Sequence, residues 1–444
     1  MKNTIIALLC FGILNSFNSC VNLDSKYSEK VKKVNELLES SNLGKNYNGA
    51  ILIADGEKIL FQRAYGFDAS NKKPNEINSK YGYASIAKMF TATAIMQLRE
   101  NEQISLEQTI GEILSEYPNN EAKNITVQQL LSHTSGLGDF HKPAFFENME
   151  SAKTLKDYLP FFANDSLKFK PGEKMWYSNA GYIVLGLMIE EISGTDYNSY
   201  IAKNIFQPTG MVSTGPMPSS AGGGESTVFD LHKFALALKD NKLVSKESFA
   251  SMISDHFNNG YGYGMVLGDL NGKKIYGHNG GSPYVSAVLE MVLGEPLIIV
   301  TMSNRKPMDG TIQIMANIRK EFFGSTPEIE QFLNTERVVN IHRKKGIKAA
   351  GTVLEELKSN ISGEDLLFYA EKYKNESQPD KAVDLMKLMI KAYPDKWSAY
   401  SSLADFQFHA GYNIEAIKNY KKSLILNPKN EQAIKQLKQL EQRK

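Results

Sequence analysis

Strand-like runs at both ends of one stretch, with helical patterns between, constrain this chain more than any other feature. Gly49-Ala50-Ile51-Leu52-Ile53-Ala54 and Ile59-Leu60-Phe61-Gln62-Arg63-Ala64-Tyr65 read as two strands, with Asp55-Gly56 as the turn between them. Four more strand-like runs follow only much later: Gly262 to Leu267, Lys273 to Gly277, Val285 to Val292 and Leu297 to Ser303. Between them, helical patterns run from Ser85 to Leu98, from Val127 to Leu131, and from Asn179 to Ile192, where Gly194 marks the stop. Gly215 to Gly224, rich in Gly and Pro, reads as a surface loop. The order predicts a mixed α/β (α+β) domain whose antiparallel sheet is completed by both ends, with helices inserted as a subdomain.

At 444 residues there is chain for two or three domains. With 51 Lys+Arg against 49 Asp+Glu and no long basic block, nucleic acid has no electrostatic footprint to bind. The one long apolar run, Ile5 to Leu14 behind Lys2, is too short to span a bilayer and reads as an export signal over residues 1–19. Cleavage before Cys20 would make that residue a lipid-anchor candidate, although Phe17 and Asn18 fit the lipoprotein consensus poorly. Cys10 and Cys20 are the only cysteines, so the mature chain has no internal disulfide. The expectation is an exported protein, periplasmic or membrane-anchored, with a polar lead-in over residues 20–47.

The end of the chain behaves differently. Leu366 and Tyr400, Ala370 and Ala404, Ala382 and Ala416, and Pro394 and Pro428 each stand 34 residues apart. That period of helix pairs resembles the tetratricopeptide repeat. It predicts that a first domain over 48–325 is followed by a linker helix over 326–362 and an all-α repeat domain over 363–444 capped by Glu431 to Lys444. A repeat surface of this kind implies a protein partner.

Chemistry first shows at Ser85-Ile86-Ala87-Lys88, which opens an apolar helix. Three residues apart on a helix, the Ser85 hydroxyl and the Lys88 amine share one face. A serine at a helix N-terminus also offers its backbone N–H to a developing oxyanion. Ser-x-x-Lys recurs at Ser70 and Ser303, but in polar, turn-like segments. Tyr177-Ser178-Asn179 and His278-Asn279-Gly280-Gly281 follow in the chain, the latter between strand-like runs.

Taken together, residues from about Asn48 to Arg305 resemble the beta-lactamase-related serine hydrolases, nearest the class C beta-lactamase and penicillin-binding-protein branch. The resemblance rests on Ser85-x-x-Lys88, Leu130-Leu131-Ser132-His133-Thr134-Ser135-Gly136-Leu137, Pro171-Gly172, Tyr177-Ser178-Asn179-x-Gly181-Tyr182, Ala221-Gly222-Gly223, Tyr261-Gly262-Tyr263-Gly264 and His278-x-Gly280. It implies an acyl-enzyme on Ser85, with Lys88 and Tyr177 as proton carriers and Tyr177 stabilised as a phenolate by Lys88. Which of the two takes the serine proton is left open. It further implies an oxyanion hole from the N–H groups of Ser85 and Gly281, and substrate binding by Asn179, His278 and Gly280. The substrate is a small molecule or peptide: an amide, an ester, a D-amino acid peptide or a beta-lactam-like ring. The alternative is a penicillin-binding-type sensor that acylates without turning over, or a binding protein acting through its repeats.

One departure bears on selectivity. His278-Asn279 stands where many beta-lactamases carry Lys and a hydroxyl residue, so a substrate carboxylate should be held less firmly. His133 is read as part of a structural element. No Gly-x-Ser-x-Gly and no closely spaced histidine pair occurs, so neither an alpha/beta-hydrolase elbow nor a metal site is expected, and no cofactor is implied.

Overall fold

A computed structural model describes residues 25–40, 42–70, 72–306 and 310–442. The expected leader, with Cys10 and Cys20, lies outside these residues. The chain divides into two compact units, Met1–Met315 and Ala316–Lys444.

Among the described residues, the main sheet of the first unit has six strands: β1 (Gly49–Asp55), β2 (Lys58–Tyr65), β3 (Val266–Leu270), β4 (Lys273–Gly281), β5 (Ser286–Val292) and β6 (Leu297–Ser303). They form one sheet in the order β2-β1-β6-β5-β4-β3, antiparallel throughout. The early hairpin is thus closed by the last strand, with Gly49 opposite Ser303 and Asp55 opposite Leu297. Alternate residues of one face, among them Ala50, Leu52, Leu289, Met291, Val300 and Met302, enter a single core with the helices. Helix α1 (Ser28–Ser40) precedes the sheet. Between the two sets of strands lie α2 (Ala87–Glu100), α3 (Val127–Leu131), α4 (Asn179–Ser193) and α5 (Val228–Lys239).

Helix α2 is buried around its whole circumference from Ala87 to Met96, and its polar members Lys88, Thr91 and Thr93 are each hydrogen-bonded there. Helix α4 starts where Ser178 Oγ accepts from the Gly181 N–H and ends at Gly194, which takes the left-handed conformation at φ 66°.

Three details differ from the sequence reading. Gly262 to Met265 is not strand: Gly264 (φ 71°) turns the chain so closely over α2 that a Cβ would stand 2.7 Å from the Lys88 carbonyl. Strand β4 runs on to Gly281, so His278-Asn279-Gly280-Gly281 lies inside the sheet, paired with Ser286 to Leu289. The Gly215 to Gly224 loop exposes Pro216 and Pro218 but turns Ser219, Ser220 and Ala221 inward.

The second unit is helical: α6 (Pro327–Glu356, broken at Gly346), α7 (Gly363–Asn375), α8 (Pro379–Ala392), α9 (Trp397–His409), α10 (Asn413–Leu426) and α11 (Glu431–Glu441). From α7 onward each helix packs on the next. Ala370, Ala382, Ala404 and Ala416, the small residues of the 34-residue spacing, are all fully buried.

Candidate active site

Ser85 sits in a single 3-10 turn, Ala84–Ile86, that leads directly into α2. The preceding Ala84 has φ 44°, a left-handed conformation that costs a non-glycine residue about 1–3 kcal/mol and tends to collect at functional sites. Strand β4 presses on this turn from one side. A Cβ at Gly280 would stand 2.2 Å from the Tyr83 carbonyl oxygen and 2.9 Å from Ser85 N. Only a residue without a side chain permits that approach.

One turn into the helix, Lys88 is fully buried and its Nζ makes three polar contacts. It lies 3.3 Å from Ser85 Oγ, 2.8 Å from Asn179 Oδ1 and 2.5 Å from the Ala221 carbonyl oxygen. Burial depresses the amine to about 7, against the pull of the Asp139 carboxylate in the other direction. Near neutral pH a large share of Lys88 is therefore uncharged amine.

Tyr177 is 36 % exposed, stands over Lys88 with its ring centre 4.8 Å from Nζ, and shares a hydrogen bond with Ser85. Burial raises its phenol above the usual 10, and the bond to Ser85 offsets only part of that. That direction favours the protonated phenol, where the sequence resemblance implied a phenolate. The ring rests on His133 at a centroid distance of 4.2 Å. His133 is itself fully buried, and its Nδ1 accepts from the Ser178 N–H at 3.1 Å. Burial and the nearby positive charge of Lys88 hold it neutral, in a supporting position under Tyr177.

His278 is buried on β4, and both ring nitrogens are engaged. Nδ1–H donates to the Asn279 carbonyl at 2.5 Å, so Nε2 accepts from the Tyr261 hydroxyl at 2.8 Å. Burial, then Lys88, lowers its pKa to about 3. Ser85, Tyr177, Tyr261, His278, Asn279 and Gly281 line an open cleft of ≈ 580 Å³. Gly280 faces the Ser85 turn, and Asn179 lies behind Lys88 at the start of α4. All seven residues singled out in the sequence thus surround one place.

Two participants were missed. Asp139 accepts from the Asn179 side-chain amide at 2.8 Å and from its backbone N–H at 3.2 Å. The Ala221 carbonyl contributes through backbone alone. An aspartate in a short loop carries no local pattern that would have marked it. The geometry supplies a hydroxyl beside an uncharged amine, a phenol able to give a proton, and the backbone of two elements meeting at the hydroxyl. That is equipment for acyl transfer.

The Beta-lactamase family model matches residues 41–318. Penicillin-binding protein 4* of Bacillus subtilis (strain 168) is 29 % identical over 330 residues, covering 62 % of this chain and 72 % of that protein. The solved penicillin-binding protein from Bacillus halodurans superimposes with a TM-score of 0.57 at 28 % identity, over 66 % of this chain and 99 % of that one. A D-stereospecific amidohydrolase from Streptomyces sp. shares the fold with a TM-score of 0.55 at 22 % identity, over 66 % of this chain and 99 % of that one. With a match that spans more than half its length, this chain belongs to the Beta-lactamase family.

Proposed function

We propose that the protein is a serine hydrolase that cleaves an amide or ester through an acyl-enzyme on Ser85. The observation that carries this reading is Lys88, fully buried with an amine at about 7 and 3.3 Å from Ser85 Oγ. An uncharged amine has two hydrogens and one lone pair. Its shortest contacts, to Asn179 Oδ1 and the Ala221 carbonyl, are both to acceptors and take the two hydrogens. The lone pair is left for the Ser85 hydroxyl.

Lys88 therefore takes the Ser85 proton as Oγ bonds to the substrate carbonyl carbon. The N–H groups of Ser85 and Gly281 hold the resulting oxyanion, where losing one donor typically costs about 10²–10³ in rate. Tyr177, a phenol, passes a proton to the leaving nitrogen or oxygen and is reprotonated from Lys88. Water then attacks the ester with the proton flow reversed, which frees the acid and restores Ser85. The B. subtilis relative is named for penicillin binding and the Streptomyces neighbour for a D-stereospecific amide activity.

Among the described residues, the cleft lining includes no Lys, Arg, Asp or Glu, and His278 is neutral. A substrate carboxylate has no fixed cation to meet. Neutral esters and D-amino acid derivatives are accordingly placed ahead of beta-lactams as substrates. The leader supports export with Cys20 as a lipid anchor, and the buried alanines of the helical unit support a tetratricopeptide-type array that docks a protein partner.

A fluorophosphonate should label the wild type and leave Ser85→Ala unlabelled, with the adduct mapped to Ser85 by mass spectrometry. Chromogenic esters, D-amino acid amides and a cephalosporin, compared by kcat/KM, then rank the substrates. An adduct on another serine would sink the nucleophile assignment. Labelling without turnover on any substrate would favour the sensor.

A further inference from the structure

Asp139 reaches the site from a loop 40 residues upstream of Asn179. Its Oδ2 accepts from the Asn179 side-chain NH2 at 2.8 Å and from the Asn179 backbone N–H at 3.2 Å. Its Oδ1 accepts from the His141 backbone N–H at 3.1 Å and stands 3.3 Å from His141 Nδ1. A carboxylate offers acceptors only. The NH2 end of Asn179 must therefore face Asp139, which turns the carbonyl end toward Lys88. A reversed amide would set oxygen against carboxylate on one side and NH2 against the lysine on the other.

That orientation matters because of what Lys88 does with its lone pair. An NH2 group of Asn179 aimed at Nζ would donate to the lone pair and compete with the Ser85 hydroxyl for it. With the carbonyl there instead, Asn179 takes a lysine hydrogen and leaves the lone pair to Ser85.

We propose that Asp139 is a positioning residue for acylation of Ser85: it orders the Asn179 amide so that Lys88 addresses Ser85, and it places a carboxylate directly behind that amide. This rests on the reading of Ser85 as the nucleophile.

The electrostatic half follows from the groups around Lys88. Its neighbours are Asn179, the Ala221 carbonyl, the rings of Tyr177 and Tyr182 at 4.8 and 5.4 Å, His133, His278 and, behind Asn179, the Asp139–His141 pair. Burial keeps both His133 and His278 neutral and both tyrosines protonated. Asp139 supplies the negative charge in that set. Although burial works against it, the hydrogen bonds from His141 and Asn179 hold Asp139 at about 2, ionised throughout the working range. It favours the lysine ammonium, so its removal makes Lys88 neutral at lower pH.

The test uses the full chain and two readouts, the second-order rate of fluorophosphonate labelling at Ser85 and kcat/KM on a neutral ester, each as a function of pH. Asp139→Ala should slow both by about 10- to 100-fold, the usual scale for a misplaced reacting group. It should also shift the acid limb to lower pH by on the order of half a unit. Asp139→Asn keeps an acceptor for the Asn179 amide. It should stay within several-fold of wild type yet show the same shift, and it carries the test if the alanine variant fails to fold. Asp139→Ala added to Asn179→Ala should cost nothing further in the plateau rate above the acid limb, because the positioning effect passes through that amide, while the charge on Lys88 should still move the limb. Fully additive losses, or an unmoved acid limb in both Asp139 variants, would overturn the assignment. If the wild type is not labelled at Ser85, the functional reading fails first and the inference falls with it. If it is labelled normally and the Asp139 variants match it, only the inference fails.

Discussion

The Tyr261 hydroxyl stands 2.8 Å from His278 Nε2 while Nδ1–H of the same ring is spent on the Asn279 carbonyl. His278 is thereby fixed in one neutral tautomer and is not available as a cation. This gives the pH dependence a single origin on the acid side.

Activity should rise with pH through about 7, as Lys88 loses its proton, and fall away below. His278, held at about 3, should leave no trace between pH 5 and 8. The profile of kcat/KM for a neutral ester checks this. A limb that survives intact when Lys88 is replaced but disappears in His278→Gln would reverse the assignment.

Lys88→Met should abolish turnover, by about 10³-fold or more, and stabilise the protein. The folded-state amine titrates at about 7 and the free side chain at 10.5. As pH falls from 10.5 toward 7 the unfolded chain binds a proton that the folded one refuses, so stability drops across that window and stays low below it. Methionine removes the penalty but strands two acceptors, leaving a gain on the order of 1–2 kcal/mol. Thermal melts should show a larger gain at pH 7 than at pH 10.

Lys88 and Tyr177 both serve the proton of Ser85, through a 3.3 Å contact and a shared hydrogen bond respectively. Lys88→Ala, Tyr177→Phe and the double variant should show a combined loss well short of the sum of the single losses. Additive losses in kcat would separate the two roles.

Gly280→Ala should cost activity out of proportion to stability. Its Cβ would fall 2.2 Å from the Tyr83 carbonyl, pushing strand β4 off the Ser85 turn. We expect a loss of about 10²-fold in kcat with the fold retained by circular dichroism. Near-normal kcat would mean that the strand can yield without disturbing Ser85.

Among the described residues, none that lines the cleft lies beyond Ser282, and the second compact unit begins at Ala316. A chain ended after Pro327 should hydrolyse a small ester with kcat within several-fold of full length. A shortened chain that is folded by circular dichroism yet inactive would give the helical unit a part in shaping the site.

Much of this is legible in the sequence. The Ser85–Lys88 relationship follows from helical spacing, and the stop of α4 from Gly194. What escaped was set by tertiary contact. Gly277 to Gly281 has three glycines and no β-branched residue, and it is strand because β5 pairs with it. The composition of the Gly215 to Gly224 loop reports turning but says nothing of Ala221 turning inward to Lys88. Asp139 meets Asn179 only after the chain has folded back across 40 residues. The protonation states were equally out of reach, since the burial of Tyr177 and His278 sets them.

The pairing of Gly49 with Ser303 has a consequence in time. Strand β1 holds two neighbours, and one of them is the last strand of the sheet to be synthesised. A ribosome that has finished the hairpin and every helix of the Ser85 site still has nothing to lay against the inner edge of β1. Closing so long a loop is slow, and it cannot begin until residue 303 has emerged. The nucleophile, its amine and its phenol are therefore all synthesised well before the strand that closes the sheet of their own unit.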